Sequence, residues 1–141
     1  MARRDTNAMR LMRRDRLALE IQAVLNEDLR NGAKLMRPQD RLHALAENTL
    51  DGYCAAAAGA YFFLGGDREA GLQPMQLTHR YGSHWWIVKD GTRIIDLTVR
   101  PGDDEPDFKY EKGTPRGFMQ HGYKRPSKRA QTIIDRVKAR R

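Results

Sequence analysis

Cysteine is nearly absent from this sequence, and so are long apolar runs. The chain of 141 residues contains one cysteine, Cys54. A single thiol excludes an internal disulfide and any Cys-rich zinc site, so the fold must be held by packing, and a reducing compartment is compatible. No window approaches the ~18 apolar residues that a membrane span requires, and no apolar segment of the signal-peptide kind follows the basic residues 1–5. The sequence therefore predicts an intracellular protein that does not insert into a membrane.

Metal-ligand patterns and internal repeats are also missing. His43, His79 and His121 show no metal-ligand spacing relative to Cys54 or to a pair of carboxylates. Ser83 follows a glycine and fits a turn better than a serine nucleophile. We therefore expect neither a metal nor a cofactor.

Positive charge is in excess, and it is concentrated at the two ends of the chain. The net charge is +8. Residues 112–141 carry ten Lys and Arg against one acidic residue, residues 1–36 carry eight against five, and residues 101–111 carry one against five. Two interpretations stay open, a solvated surface or a binding surface for nucleic acid or another acidic partner. The candidates for a polyanion-binding surface are Lys124, Arg125, Lys128 and Arg129.

The length suits one domain with a substantial core. Four segments can be distinguished within it. An N-terminal helix occupies 1–36, a core that would carry the chemistry occupies 37–100, an acidic and irregular loop region occupies 101–122, and a basic C-terminal helix occupies 123–141.

Apolar side chains at three- and four-residue spacing predict amphipathic helices at both ends of the chain. The first runs from about Met9 to Arg30 and ends at Asn31-Gly32. The last follows Ser127, a candidate N-cap. Its apolar stripe consists of Ala130, Ile133, Ile134 and Val137.

Two further helices are predicted between these. The second begins after Pro38, and its apolar Leu42 and Leu45 indicate a packing role. The third begins near Cys54 and is stopped by Gly65-Gly66. It is apolar on nearly all sides, so we expect it to be the central buried helix.

Segments rich in β-branched and aromatic residues predict strands over 75–80, 84–88 and 92–99. Their short connections favour a small antiparallel sheet. The segments 101–107 and 113–122 are rich in glycine, proline or acidic residues, so we expect both to lie outside the core.

Cys54, His84 and Asp96 are the candidates for chemistry. Each has an ordinary structural explanation on its own, as a small buried residue, a strand histidine and a turn cap. Cys54, however, would lie at a helix N-terminus, where unsatisfied N–H groups lower the pKa of a thiol and favour the nucleophilic thiolate. The backbone N–H of Cys54 is also placed to face a developing oxyanion.

The connection between His84 and Asp96 decides whether their side chains can meet. A two-residue turn at Asp90-Gly91 would put them on opposite faces of the hairpin. A three-residue loop, Lys89-Asp90-Gly91, would place His84 opposite Asp96. A triad therefore requires the odd-length loop, and we expect the face that the two residues share to lie toward the third helix.

Three short blocks carry a resemblance to a known group of enzymes. They are Gly52-Tyr53-Cys54, His84-Trp85-Trp86 and Ile95-Asp96-Leu97-Thr98. In this order they resemble the signature blocks of the transglutaminase-like and papain-like cysteine enzyme superfamily. The stretch 52–98 also resembles small uncharacterised proteins of bacteriophages.

The resemblance implies an α+β fold in which a central helix packs on a small antiparallel sheet, with helices at both termini. It also implies that Cys54 is the nucleophile, His84 the general base and acid, and Asp96 the residue that orients the imidazole. Asn48, six residues before Cys54, occupies the position of the oxyanion-hole amide in papain-like peptidases. A helix-surface or C-cap role for Asn48 stays open beside it.

The implied reaction is attack of a thiolate on an amide or ester carbonyl of a peptide or protein, giving a thioester that water or an amine resolves. Hydrolysis, transamidation and deamidation would all use this triad. Tyr53, Trp85 and Trp86 are candidates for lining the substrate, although at least one Trp must be core. The rival interpretation is a basic, non-enzymatic phage structural or nucleic-acid-associated protein that retains the fold. A phage origin would place either protein in the host cytoplasm or the virion.

Overall fold

The computed structural model describes residues 14–80, 82–104, 108–118 and 122–141. Within these ranges the chain forms four α-helices and a four-stranded antiparallel sheet, which confirms the predicted α+β class. In chain order the elements are α1 (Arg16–Arg30), α2 (Pro38–Glu47), α3 (Cys54–Leu64), β1 (Leu72–His79), β2 (Gly82–Lys89), β3 (Arg93–Ile95), β4 (Thr114–Pro115) and α4 (Lys128–Arg140). In the described part of the chain, no helix is long and apolar enough to cross a membrane.

The sheet has the strand order β3-β2-β1-β4, and every pair of neighbours is antiparallel. β1 and β2 form its long central hairpin, with Leu72 paired to Lys89 and His79 paired to Gly82. The short strand β4 adds to the free edge of β1. The sequence missed β4, because two residues between glycines carry no strand pattern.

The helices cover one face of the sheet. α3 packs on this face, and α4 and α1 pack on α3. The apolar side chains of β2 and the following segment that join this core are Trp85, Ile87, Ile95 and Leu97. Ala57 and Ala58, both fully buried, allow α3 to approach the sheet closely, so the predicted central buried helix is confirmed.

The opposite face of the sheet is covered by the segment 108–113. Trp86, Val88, Ile94 and Tyr110 form a second, smaller apolar cluster there. A Cβ added to Gly113 would lie 2.3 Å from a Trp86 ring atom, so this segment lies directly on the indole. Our expectation that this face lies toward the third helix is therefore wrong. Register determines which residues share a face but not which layer covers that face.

The expectation that 113–122 lies outside the core is also wrong. Phe118 is 7% exposed, with ring centroids 5.7 Å from Phe62 and 5.3 Å from Trp85. Tyr110, in the acidic loop region, is 8% exposed. Single aromatic residues in a Gly-rich or charged segment form no periodic pattern, so the sequence does not show that they are buried.

Two predicted caps are confirmed, Asn31 and Ser127, whereas the N-cap of α1 at Asp15 contradicts a helix that runs on from about Met9. Asp15 caps α1 through Ala18 N, Asn31 follows its last turn, and Ser127 Oγ accepts from Ala130 N at the start of α4. The predicted apolar stripe of α4 is buried throughout. The part of the predicted first helix before residue 14 lies outside the described residues.

α2 differs from its predicted role in packing. Leu42 is 81% exposed and Leu45 is 48% exposed, whereas Ala44 is buried. The two leucines lie on the solvent side of this short helix, so its contact with the core depends on the smaller residue.

A buried carboxylate, that of Asp28, holds the start of α3 in place. Asp28 Oδ2 accepts from the hydroxyl of Tyr53 at 2.7 Å and from Leu35 N at 3.0 Å. Arg136 of α4 lies 3.4 Å from its other oxygen. Because Tyr53 directly precedes Cys54, this network ties the first residue of α3 to α1 and α4.

Replacing Tyr53 by Phe should lower the free energy of unfolding by ~1.5–3 kcal/mol, because the buried carboxylate loses a hydrogen bond to a charged acceptor. Urea denaturation measures the loss. Tyr123→Phe is the matched control. It removes only the hydroxyl that accepts from Gln73 Nε2 at 3.2 Å, a neutral bond for which ~0.5–1.5 kcal/mol is expected. Equal losses in the two variants would contradict the anchoring role of Asp28.

Candidate active site

Cys54 is the first residue of α3, and a short 3₁₀ turn, Asp51–Tyr53, leads into it. The residue is 9% exposed. Its Sγ lies 3.6 Å from the carbonyl oxygen of Ser83, to which the S–H can donate. The thiol is therefore at the helix N-terminus as predicted, and it faces the beginning of β2.

The backbone N–H of Cys54 is already occupied. It donates to the carbonyl of Asp51 and closes the 3₁₀ turn. The prediction that this N–H faces an oxyanion is therefore wrong. The turn before the helix uses the donor that a helix starting directly at Cys54 would have left free.

His84 lies near the start of β2, with 13% of its side chain exposed. Its Nε2 donates to Asp96 Oδ2 at 2.7 Å, and Cys54 is close enough to contribute to the raised pKa of the imidazole. Since Nε2 is bonded to the carboxylate, the other ring nitrogen, Nδ1, is left for the thiol. One imidazole thus connects Cys54 with Asp96.

Aromatic rings hold this imidazole in place. The ring of Trp86 stacks with it at 5.7 Å between centroids and an interplanar angle of 27°. Phe108 meets it edge-on at 4.7 Å. These contacts limit ring rotation, so the orientation of His84 does not depend on its hydrogen bonds alone.

Asp96 is 5% exposed, and it accepts hydrogen bonds on both carboxylate oxygens. Oδ2 receives His84 Nε2 and the hydroxyl of Tyr110, each at 2.7 Å. Oδ1 receives the backbone N–H of Thr98 at 3.0 Å and its hydroxyl at 2.7 Å. A buried charge requires this degree of satisfaction, and the carboxylate is fixed as a result.

The electrostatics of the pair follow from these contacts. Burial lowers the pKa of His84, but the hydrogen bond to Asp96, the negative charge of that carboxylate and the neighbouring Cys54 outweigh burial and raise that pKa to about 10. Burial also opposes ionisation of Asp96, yet its hydrogen bonds with His84, Tyr110 and Thr98 lower the pKa of its carboxyl group. At neutral pH the pair is therefore an imidazolium and a carboxylate.

The hairpin that joins β2 to β3 has the odd-length loop that a triad requires. Lys89 pairs with Arg93, which leaves residues 90–92 as a three-residue loop. Asp90 and Gly91 both take positive φ, at 53° and 76°. The predicted loop, 89–91, was wrong by one residue. Continuing the observed register puts Asp96 across from Trp86, so His84 and Asp96 meet diagonally on one face.

Three residues of the site were missed by sequence reasoning: Thr98, Phe108 and Tyr110. For Thr98 a signal existed, because an Asp followed two residues later by Thr can form a local side-chain-to-backbone turn. For the two aromatic residues there was none, since 12 or more residues separate Phe108 and Tyr110 from Asp96 along the chain, in a segment of mostly charged residues.

Two of the predicted substrate-lining residues do not reach the surface. Tyr53 and Trp86 are fully buried, so the prediction that they line a substrate is wrong. Trp85 is 4% exposed, and it borders a small pocket between α3 and α4. Paired tryptophans in a strand alternate between its faces, and here both faces are covered.

Asn48 is a cap residue. It ends α2 in a left-handed conformation (φ 52°), and Arg100 donates to its side-chain oxygen at 3.4 Å and to its carbonyl oxygen at 2.5 Å. These contacts explain the residue without catalysis and give no support to the predicted oxyanion role.

The basic C-terminal segment divides into two parts. Arg136, Arg140 and Arg141 pair with acidic side chains of α1 at 2.9–3.4 Å. At the other end of α4, four exposed cations form no ion pair with any residue that the structure describes: Lys124, Arg125, Lys128 and Arg129. These four cations therefore form a cluster at the start of α4, the helix that packs on α3. Within the described ranges, no group of three or more His, Cys, Asp or Glu could hold a metal ion.

Comparison with protein-family models finds no matching family, and comparisons with curated protein sequences and with solved structures find no match. The residues and their geometry must therefore carry any functional conclusion.

Replacing Asp96 by Asn should lower the pKa of His84 from about 10 toward the ordinary 6.5, because burial is then opposed by Cys54 alone. An NMR titration of the imidazole measures this. Asp103→Asn is the control, since that surface carboxylate pairs with Arg100. A His84 pKa that is unchanged in Asp96→Asn would contradict the assigned pair.

Folding stability should follow the same linkage. The raised pKa of His84 adds to the free energy of unfolding. This added stability is complete below pH 6.5, the ordinary pKa of histidine, and is lost as the pH rises through about 10. The lowered pKa of Asp96 also adds to the free energy of unfolding. This second addition is present above pH 3.8, the ordinary pKa of aspartate, and is lost as the pH falls through the lower pKa that Asp96 has in the folded protein. Urea denaturation across pH should therefore show the largest difference between native protein and Asp96→Asn at about pH 4–6.5. A difference that does not depend on pH would contradict the linkage.

Proposed function

We propose that this protein is a cysteine-dependent acyl-transfer enzyme with a papain-like or transglutaminase-like core. The observation that carries the proposal is the Cys54, His84 and Asp96 chain of contacts. The only thiol of the sequence bonds to the carbonyl oxygen of Ser83, directly before His84, and contributes to the raised pKa of that imidazole, which a buried carboxylate holds through Nε2. The three residues follow one another in the order of the resembling enzymes.

The resting site favours charge separation. Proton transfer from the thiol of Cys54 to His84 gives a thiolate beside an imidazolium, and Asp96 stabilises the imidazolium. A thiolate of this kind is the nucleophile in cysteine catalysis, because the neutral thiol attacks poorly. The N-terminal end of α3 adds a favourable dipole for the same negative charge.

In the first half of the reaction the thiolate attacks the carbonyl carbon of an amide or ester. The carbon–sulfur bond forms, and His84 gives its proton to the departing amine or alcohol as the bond to that group breaks. The product of this half is a thioester on Cys54.

In the second half, neutral His84 takes a proton from water or from an amine as that molecule attacks the thioester. The acyl group leaves as an acid or an amide, and the proton on His84 restores the resting pair with the released thiolate. Asp96 keeps the imidazole in one tautomer and orientation throughout. Peptides and proteins are the proposed substrates.

The competing explanation of Cys54 is that it is a small buried core residue. Its 9% exposure alone would fit that explanation. A core role, however, does not account for a histidine that is positioned by a carboxylate with four hydrogen-bond donors. Buried polar networks are costly when incomplete, and this one is completed around the ring that contacts the thiol.

Cys54 should react quickly with iodoacetamide at about pH 6, faster than free cysteine, whose unperturbed pKa of ~8.5 leaves little thiolate there. His84→Ala should slow alkylation by at least about 10-fold, because the stabilising imidazolium is lost. Asp96→Ala should affect alkylation less than it affects turnover of any substrate found, since it positions the ring.

His43→Ala is the matched control for this experiment, because His43 is an exposed histidine on α2. Its alkylation rate should equal that of the native protein. If the native thiol reacts no faster than free cysteine and only denaturation exposes it, Cys54 is a core residue and the proposed enzyme is ruled out.

A second candidate function has its own supporting observation. The four unpaired cations at the start of α4 fit a surface that binds a nucleic acid backbone, as in a non-enzymatic phage structural or nucleic-acid-associated protein.

Binding of a labelled oligonucleotide should then weaken with added salt. The log–log slope should be about 0.7–0.9 per phosphate contact, or about 3–4 for four contacts. Replacing the four cations by Gln should abolish this slope, whereas Lys34→Gln, an exposed lysine elsewhere, should leave it unchanged. No detectable binding at low salt would eliminate this function.

A further inference from the structure

A small apolar pocket lies between α3 and α4, with a volume of about 70 Å³. Ala55 and Gly59 line it from α3, Trp85 from β2, and Ala130 from α4. Phe118 closes one side with its ring against Trp85. The aromatic residue that the sequence placed outside the core is thus one wall of this pocket.

The pocket is adjacent to the reactive residues. Ala55 directly follows Cys54, and Trp85 directly follows His84. Consecutive Cα atoms are about 3.8 Å apart, so the Ala55 end of the pocket lies one residue from the nucleophile, whereas the Trp85 indole lines the pocket on the strand face opposite the His84 imidazole. Ala55 is exposed, which leaves that end open to solvent.

We propose that this pocket receives a short aliphatic side chain of an acidic peptide substrate, on the residue that supplies the carbonyl attacked by Cys54. This inference rests on the proposed acyl-transfer function and specifies the substrate class.

The volume of the pocket limits the size of the substrate side chain that it can receive. A cavity of about 150 Å³ holds a benzene molecule, and this pocket has less than half of that volume. Gly59 contributes to the available space, since a Cβ there would lie 3.2 Å from Ala130 Cβ. A valine or leucine side chain therefore fits better than a phenylalanine ring, and glycine would leave the pocket empty.

The residues at the rim of the pocket determine which charge on the substrate is favoured. Pro126 and Ser127 line its outer edge, and Ser127 is the N-cap of α4. Arg125 and Lys128, on either side of them, are exposed and form no ion pair with the described residues. The helix dipole and both cations favour a carboxylate here. A nucleic acid would meet the cations, but it has no aliphatic side chain for the pocket, so the two features together favour an acidic peptide.

Peptide chloromethyl ketones test this directly, because the thiolate displaces chloride and forms a carbon–sulfur bond without any added reactant. The probes are acetyl-Glu-Val, acetyl-Glu-Phe, acetyl-Glu-Gly and acetyl-Gln-Val chloromethyl ketones. For each protein, the rate of inactivation is divided by its rate with iodoacetamide, so that differences in thiol reactivity cancel.

We expect Glu-Val to react at least about 10-fold faster than Glu-Phe or Glu-Gly, the lower end of the discrimination that a hydrophobic pocket gives per methylene. Ala55→Phe and the smaller change Ala55→Leu should remove this preference. Ala46→Phe changes an exposed alanine on α2 in the same way and should retain it. The preference for Glu-Val over Gln-Val should decrease with salt, disappear in Arg125→Gln/Lys128→Gln, and persist in Lys138→Gln.

Two results would overturn the inference. Equal normalised rates for Val, Phe and Gly probes would show that the pocket does not receive the side chain. An oligonucleotide that abolishes the Glu preference at low salt would assign the cations to nucleic acid. A native thiol that does not react with iodoacetamide would instead refute the acyl-transfer function itself, so the two failures are distinguishable.

Discussion

The hydrogen bond between His84 and Asp96, 2.7 Å long and buried, is the interaction on which the rest of the site depends. A carboxylate this far from solvent is tolerated only when its oxygens are satisfied. Satisfying them requires the hydroxyl of Tyr110, from a distant segment, and both the backbone N–H and the hydroxyl of Thr98, two residues along the chain. The segment 108–113 therefore contributes to the candidate site as well as to the packing of the sheet.

Both layers that cover the sheet contribute to the site. α3 lies on one face and carries Cys54. On the other face Phe108 contacts the ring of His84, and Tyr110 bonds to Asp96. Near the start of β2 the thiol lies 3.6 Å from the carbonyl oxygen of Ser83, the residue directly before His84. The Asp28 network fixes the start of α3 at this place, because Tyr53 is bonded to it and directly precedes the thiol. The candidate site therefore depends on two layers that pack on opposite faces of the sheet, α3 and the segment 108–113.

Local patterns were sufficient to predict that the four helices exist and that His84 and Asp96 lie on one face of the hairpin. The start of α3 at Cys54, the cap at Ser127 and the odd hairpin loop are encoded within a few residues of each feature. What failed depends on contacts between distant segments, namely which layer covers each sheet face, the burial of Phe118, and the hydrogen bond from Tyr110. The prediction that the Cys54 N–H would face an oxyanion was wrong because a 3₁₀ turn precedes α3 and its carbonyl at Asp51 accepts from that N–H.

The central claim is that Cys54 exists as a thiolate paired with protonated His84. The ultraviolet absorbance of the thiolate, taken as the difference between the native protein and Cys54→Ser, measures this without any substrate. We predict that the signal is already present at about pH 6 and is lost at that pH in His84→Ala. A signal that appears only near about pH 8.5, as for an unperturbed thiol, and that does not respond to His84→Ala would contradict the account.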